Sequence, residues 1–183
     1  MNNEYNINLI EFTKKICYIC DTILFSIGPF QKETLYQECL IHELNKIKIN
    51  TIRENVIPLL FKDSYGDDII IGNGHSMRTD IDLPDKKCIL EIKQTTSKIK
   101  DEHEFQLRTY LEQKKDYNFG IIINFNSKFI NTVPKVECKL LVKTDDYVKL
   151  EKLKKTIRKY NTWYMEGSGY LQKTEIFNEI IIK

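Results

Sequence analysis

Two acidic residues and a lysine flank a short turn near the middle of the chain. Asp80 precedes the turn, Glu91 and Lys93 follow it, and the pair Pro84-Asp85 lies between two runs of β-forming residues. Pro-Asp is common turn chemistry, so the segment predicts a β-hairpin. If the turn is centred just after Asp85, Asp80 lies directly opposite Glu91.

The two faces of this hairpin differ in polarity, because successive side chains of a strand point to opposite faces. The apolar face would hold Thr79, Ile81, Leu83, Cys88, Leu90 and Ile92, and the polar face would hold Arg78, Asp80, Asp82, Glu91 and Lys93. Opposed carboxylates repel, and a divalent cation such as Mg²⁺ or Mn²⁺, which prefers oxygen ligands, would remove that repulsion. Alternatively, Arg78 and Lys93 neutralise the two acids without a metal ion. Asp82 is a lesser ligand candidate on the same face.

The composition fits one soluble domain. The chain has 183 residues, 42% of them hydrophobic, and a formal net charge of +2, so affinity for nucleic acid must come from local basic patches. No apolar run reaches the roughly 18 residues of a membrane span, and the first residues do not resemble a signal peptide. We therefore expect an intracellular protein, cytoplasmic or virion-associated, that is not secreted and has no membrane partner. The absence of alanine and the many Ile, Lys and Asn residues are typical of an AT-rich genome, such as that of a large DNA virus.

Five cysteines are scattered along the chain. An odd number without regular spacing argues against a disulfide framework. Cys17 and Cys20 have the spacing of half a zinc site, but no second pair accompanies them and they lie in a helical apolar pattern. We predict buried thiols at both positions.

The hydrophobic pattern predicts helices on either side of several short strands. The first helix covers residues 7–27 and ends at Gly28-Pro29, and the second covers 31–47 with Leu35, Cys39, Leu40 and Leu44 turned inward. Later elements are strands at 48–53, 56–62 and 67–71, the hairpin, a helix at 97–115 and a strand at 119–125. The last run is apolar throughout, which is typical of a strand buried on both faces. This order predicts an α/β fold.

The tail combines a predicted strand at 136–143, a basic amphipathic helix at 148–160 and a closing apolar segment at 176–182. We expect residues 1–126 to form the main domain and residues 127–183 to form an α+β extension packed on it.

The predicted tail helix has a basic polar face. Basic side chains on such a face would contact nucleic-acid phosphates. The alternative is an ordinary solvated helix surface. The candidate nucleic-acid-binding residues are Lys152, Lys155, Arg158 and Lys159.

Two of the motifs resemble those of the PD-(D/E)XK nuclease superfamily. Asp80 followed by Glu91-Ile92-Lys93 resembles the D…(D/E)-x-K core. Gln106 and Tyr110 resemble the Q-x-x-x-Y helix of RecB-like members, and their spacing of four places them on one helix face.

A third motif resembles the signature of the GxxExxY family within that superfamily. Gly28, Glu33 and Tyr36 align with its G-P-x-x-x-E-x-x-Y form, and the whole resemblance covers roughly residues 8–126. Phe30 departs from it, because members often carry glycine there, and this is expected to alter the start of the second helix.

The resemblance implies a PD-(D/E)XK nuclease-like core, in which helices flank a mixed central β-sheet, and metal-dependent hydrolysis of phosphodiester bonds, with DNA as the expected substrate. It implies that Asp80, Glu91 and the backbone carbonyl of Ile92 hold Mg²⁺ or Mn²⁺, with Glu33 completing the site from the preceding helix.

The resemblance also implies three catalytic residues. Lys93 would orient and help deprotonate the attacking water and offset phosphate charge, while Gln106 and Tyr110 would position the water or the nucleic-acid backbone. His103 is interpreted as a polar helix residue. The alternative function is a non-catalytic nucleic-acid-binding or structural protein that retains the nuclease fold.

Overall fold

The computed structural model describes the backbone at residues 3–71, 77–130, 133–143 and 176–181, and side chains at 8–70, 77–125 and 136–143. The predicted tail helix, with Lys152, Lys155, Arg158 and Lys159, lies outside the described residues.

Three helices and eight strands make up the described chain. The helices are α1 (Asn3–Ile27), α2 (Glu33–Lys46) and α3 (Asp101–Gln113). The strands are β1 (Ile52–Ile57), β2 (Leu59–Lys62), β3 (Asp68–Ile71), β4 (Met77–Leu83), β5 (Cys88–Lys93), β6 (Phe119–Ile130), β7 (Val133–Lys143) and β8 (Ile176–Ile181).

Six of these strands form one mixed sheet in the order β1-β4-β5-β6-β7-β8, and β2 and β3 pair separately. The β5–β6 and β7–β8 pairs are parallel, and the other neighbours are antiparallel. Because parallel neighbours need a crossover, α3 connects β5 to β6. The fold is therefore α/β with helices flanking a mixed central sheet, as predicted.

The sheet is covered on both faces. Helices α1 and α2 share one apolar cluster with the predicted apolar face of the hairpin, including Ile81, Leu90 and Ile92. Helix α3 covers the opposite face through Leu107 and Leu111. Strand β6 is buried from Phe119 to Phe125, which confirms the prediction made from its apolar run.

The hairpin has the predicted register. Ile81 pairs with Leu90, Asp82 with Ile89 and Leu83 with Cys88. The turn is a short 3₁₀ segment, Pro84–Lys86, which ends at Lys87 with a φ of 50°. This register brings Asp80 next to the Glu91–Lys93 end of β5.

The connection between α1 and α2 is held by the glycine and the tyrosine of the third motif. Gly28 ends α1 with a φ of 77°, a conformation that glycine adopts at little cost. The Tyr36 hydroxyl donates to the Gly28 carbonyl at 2.8 Å, and its ring stacks on Phe125 with centroids 4.1 Å apart. These contacts fix where α2 begins relative to the sheet.

Four predictions about local structure were wrong. Leu35 is exposed, and Tyr36 turns inward in its place because the Gly28 contact sets the rotation of α2. Residues 48–51 form the connection after α2 rather than a strand, since Lys48 adopts a φ of 60° and the Ile49 N–H bonds back to the Leu44 carbonyl.

The predicted strand at 56–62 is divided, because Pro58 has no N–H for a ladder and separates β1 from β2. Helix α3 is shorter than the predicted 97–115, because the segment before it is bonded to the sheet. There the Thr95 N–H donates to Asn124 Oδ1 at 3.0 Å, and the Ile99 N–H donates to Glu137 Oε2 at 3.0 Å.

Cys17 and Cys20 are buried, as predicted. None of the helices among the described residues has the length and apolar character needed to cross a membrane. The domain division at residue 126 stays a prediction, and β6 continues through that position.

Candidate active site

The hairpin supplies a carboxylate pair and a lysine. Glu91 is almost fully buried, and its Oε1 accepts a hydrogen bond from Lys93 Nζ at 2.7 Å. Asp80 Oδ2 accepts from the Ile92 N–H at 2.6 Å, so the side chain caps the backbone of the neighbouring strand. Glu91 Oε2 is buried without a hydrogen-bond partner.

Helix α2 contributes Glu33 and Gln37, one turn apart at its first residues. Glu33 accepts a hydrogen bond from the Gln94 backbone, next to Lys93, and its charge interacts with Asp80. Gln37 is buried, and its side chain opposes the rise in the Asp80 pKa that burial causes. Sequence reasoning missed Gln37, because a glutamine in the first turns of a helix is usually a surface residue.

Helix α3 contributes Tyr110 and Gln106. Gln106 Nε2 donates to the Tyr110 hydroxyl at 2.7 Å, which confirms that the two share one helix face. Tyr110 interacts with the charges of Glu91, Asp80 and Lys93, so it borders the carboxylates. The hairpin, α2 and α3 thus bring together the side chains predicted from the sequence: Glu33, Asp80, Glu91, Lys93, Gln106 and Tyr110.

Burial and crowding raise the pKa of all three carboxyl groups. Burial, and then the charge of Asp80, raise the pKa of Glu91 to about 8 even though Lys93 opposes the shift. Burial also raises the pKa of Asp80 and of Glu33. Although burial lowers the pKa of Lys93, the charges of Glu91, Asp80 and Glu33 outweigh it and raise that pKa.

Three carboxylates facing one ammonium group would leave a net charge of −2 in a largely dry site. Such crowding favours the neutral, protonated form of a carboxyl group unless a further positive charge lies nearby.

His103 lies at the start of α3, close to this cluster. Its Nδ1 accepts from the Lys100 N–H at 3.3 Å. Burial, and then the charge of Lys93, lower its pKa, so the ring is neutral at pH 7.

Two residues of the predicted polar face are engaged elsewhere. Asp82, the lesser ligand candidate, is fully buried and accepts hydrogen bonds from Lys114 and from Asn55 Nδ2, the latter at 2.5 Å. Arg78 pairs with Glu54 at 3.5 Å. Of the two basic residues expected to neutralise the acids without a metal ion, Lys93 does pair with Glu91.

In the described ranges, no three His, Cys, Asp or Glu side chains are gathered closely enough to hold a metal ion. Lys93 donates a hydrogen bond to one oxygen of Glu91, and the Ile92 N–H donates to one oxygen of Asp80. Metal ligation by Asp80, Glu91, Glu33 and the Ile92 carbonyl therefore stays a prediction.

The model of one protein family, described as the PD-(D/E)XK nuclease superfamily, matches residues 10–136. The crystal structure of SSO0001 is 18% identical, with a TM-score of 0.46 over 86% of this chain and 72% of that one. A phage-related exonuclease from Haemophilus somnus 129PT is 13% identical, with a TM-score of 0.32 over 80% of this chain and 77% of that one. No curated protein matches the chain.

Proposed function

Because the chain belongs to the PD-(D/E)XK nuclease superfamily, we propose that it is a metal-dependent nuclease that hydrolyses phosphodiester bonds in DNA. The observation that carries the proposal is the cluster of Glu33, Asp80, Glu91 and Lys93, which come from two different parts of the chain. The third motif further supports membership of the GxxExxY family.

The carboxylates of the cluster supply the oxygen ligands that a hard divalent cation prefers. Asp80, Glu91 and Glu33 would hold Mg²⁺ or Mn²⁺, with the Ile92 carbonyl as a further oxygen ligand. Two observations support this assignment: Glu91 Oε2 is buried without a hydrogen-bond partner, and burial and then the charge of Asp80 raise the pKa of Glu91 to about 8. When bound, the cation would lower the pKa of an attacking water and neutralise charge at the phosphate.

The protein side chains have separate roles in this proposal. Lys93 Nζ, held 2.7 Å from Glu91 Oε1, would orient the attacking water and offset negative charge on the phosphate. The Gln106–Tyr110 pair would position the water or the nucleic-acid backbone, since its 2.7 Å hydrogen bond fixes both groups at the edge of the cluster. Lys152, Lys155, Arg158 and Lys159 are proposed to bind DNA phosphates.

The test is cleavage of labelled single- and double-stranded DNA and RNA in Mg²⁺, Mn²⁺ or EDTA. We expect wild type to cleave DNA only with metal, and Lys93→Ala to lose at least about 100-fold in rate, because it removes a charge next to the reacting phosphate. Lys46→Ala is the control, since Lys46 is an exposed lysine on α2 that pairs with Glu43.

Cleavage that persists in EDTA, or that Lys93→Ala and Asp80→Ala leave unchanged, would contradict the proposal. If wild type cleaves none of the substrates but binds DNA in EDTA, the chain is a non-catalytic nucleic-acid-binding protein. Melting curves of each variant separate lost activity from lost folding.

A further inference from the structure

One polar side chain interrupts the apolar run of β6. Asn124 is fully buried, whereas the other residues from Phe119 to Phe125 are apolar or glycine. It lies in register with Lys93 on β5 and with Glu137 on β7, so the three side chains share the face of the sheet that α3 covers. A buried amide has to find hydrogen-bond partners, because leaving its groups unpaired costs free energy.

The amide of Asn124 bonds the segment that connects β5 to α3. Its Oδ1 accepts from the Thr95 N–H at 3.0 Å, and its Nδ2 donates to the Ser97 carbonyl at 2.8 Å. Glu137 Oε2 accepts from the Ile99 N–H at 3.0 Å, two residues further along the chain. Two side chains of the sheet thus fix the backbone of the 95–99 segment at three points.

The residues between these points lie on the surface. Thr96, Ser97 and Lys98 are exposed, and the backbone is bonded to the sheet on both sides of Lys98, at the Ser97 carbonyl and the Ile99 N–H. The ammonium group of Lys98 is therefore carried by backbone that is already ordered.

The 95–99 segment begins two residues after Lys93. Five residues span at most about 18 Å when fully extended, which limits the distance between the Cα atoms of Lys93 and Lys98. One strand of a DNA duplex carries a phosphate about every 3.4 Å along the axis, so about five phosphates fall within that distance. A strand bound with one phosphate at Lys93 can therefore pass Lys98 with another.

We propose that the 95–99 segment is a phosphate-binding site for the nucleic-acid substrate, in which Lys98 contacts a backbone phosphate and Asn124 fixes the segment before binding. The inference rests on the proposed nuclease function and adds to it a substrate contact outside the recognised motifs. A phosphate contact strengthens binding without selecting a base sequence. Fixing the segment in advance removes the entropic cost of ordering it when the strand binds.

The test measures how the affinity for a short labelled DNA duplex, and for one of its strands, depends on salt concentration. EDTA is present so that no metal-dependent cleavage occurs. Lys98→Gln removes the charge and keeps a polar side chain of similar length. Lys46→Gln is the matched control, because Lys46 is an exposed lysine at the opposite end of α2 from Glu33.

We expect Lys98→Gln to reduce the slope of log affinity against log salt concentration by about 0.9 on the duplex, the change for one lost phosphate contact. Lys46→Gln should leave the slope unchanged. A slope that stays at the wild-type value in Lys98→Gln, or that both variants reduce equally, would overturn the proposal.

Asn124→Leu tests the positioning role, since leucine has a similar volume and no hydrogen-bonding groups. We expect about tenfold weaker duplex binding with an unchanged slope, because Lys98 keeps its charge but the segment must be ordered on binding. Wild-type affinity in a variant that melting curves show to be folded would mean that Asn124 only stabilises the fold. If Asn124→Leu does not fold, Asn124→Asp gives the same comparison, because it keeps the acceptor for Thr95 and loses the donor to Ser97.

The outcome for this site is separate from the outcome for the proposed nuclease. Duplex binding with the expected change in Lys98→Gln, but no cleavage with any metal, supports the site and counts against the nuclease. Cleavage together with an unchanged Lys98→Gln slope gives the reverse. A wild-type protein that binds neither the duplex nor the single strand overturns the site, while the cleavage test still judges the nuclease.

Discussion

Glu91 has one carboxylate oxygen paired with Lys93 and the other unpaired, and it is almost completely out of water. Burial and the charge of Asp80 raise its pKa to about 8, from an ordinary value of 4.5. The folded protein therefore holds a proton that the unfolded chain releases in this pH range. Without a cation, the contribution of Glu91 to stability falls as the pH rises from about 4.5 to about 8.

Glu91→Gln removes this pH dependence. We expect the metal-free variant to match wild type near pH 5 and to exceed it by on the order of 1–3 kcal/mol near pH 9, because a buried charge is no longer formed. Urea unfolding in EDTA at pH 5, 7 and 9 measures the difference. Glu112→Gln, at an exposed position of α3, is the control. Parallel stability curves for Glu91→Gln and wild type would show that Glu91 ionises normally.

At the scale of the elements, the connection from α1 to α2 decides how Glu33 and Gln37 reach the hairpin. Phe30 lies in this connection with a φ of 66°, a region that glycine adopts readily and a bulky residue adopts only with strain. It is the residue at which the sequence departs from the third motif described above. The departure noted in the sequence thus corresponds to backbone strain between the two helices.

Replacing Phe30 with glycine should relieve this strain. We expect Phe30→Gly to raise the free energy of unfolding by about 1 kcal/mol, less whatever the ring contributes through its own contacts. Phe25→Gly is the matched control, since Phe25 is 90% exposed inside α1, where glycine costs about 0.5–1 kcal/mol. Thermal or urea unfolding should therefore give opposite signs. A loss of stability in both variants would mean that the Phe30 contacts outweigh the strain.

The sequence predicts best what is decided locally. The hairpin register follows from the Pro84-Asp85 turn and from alternation, and both can be read within sixteen residues of chain, Arg78 to Lys93. The rotation of α2 cannot be predicted from nearby residues, because it depends on the Tyr36–Gly28 hydrogen bond and on the stacking of Tyr36 on Phe125. Leu35 was therefore assigned inward wrongly, and Gln37 was missed.

The burial and pairing of Asp82 also depend on residues that are distant in sequence. Its partner Lys114 lies 32 residues away in sequence, and no local pattern links the two. Alternation correctly placed Asp82 on the face of Asp80. It could not show that a lysine after α3 would bury and pair that carboxylate.

Across the whole molecule, two buried ion pairs connect the region of α3 to the sheet. Glu104, near the start of α3, pairs with Lys139 of β7, and Lys114, just after its end, pairs with Asp82 of β4. Tyr110 lies between these two connections and borders the carboxylate cluster. The pairs thus fix the helix that contributes Gln106 and Tyr110.

Breaking one of these pairs should cost much more than breaking an exposed one. Lys114→Met leaves Asp82 buried with only Asn55 at 2.5 Å and Tyr117 at 3.5 Å, and we expect a loss of about 3 kcal/mol in the free energy of unfolding. The control Lys46→Met breaks the exposed pair with Glu43 and should cost less than about 0.5 kcal/mol.

The double variant Lys114→Met/Asp82→Asn distinguishes an unpaired charge from lost packing. It should recover most of the stability, because no charge then stays buried without a partner. Urea unfolding at pH 7 gives the free energies of unfolding of Lys114→Met, Lys46→Met and the double variant, each compared with wild type. If the double variant is as unstable as Lys114→Met, the loss comes instead from packing around Lys114, which lies 4.2 Å from the centre of the Tyr117 ring. The comparison therefore shows whether the Lys114–Asp82 ion pair or the packing around Lys114 holds the end of α3 on the sheet.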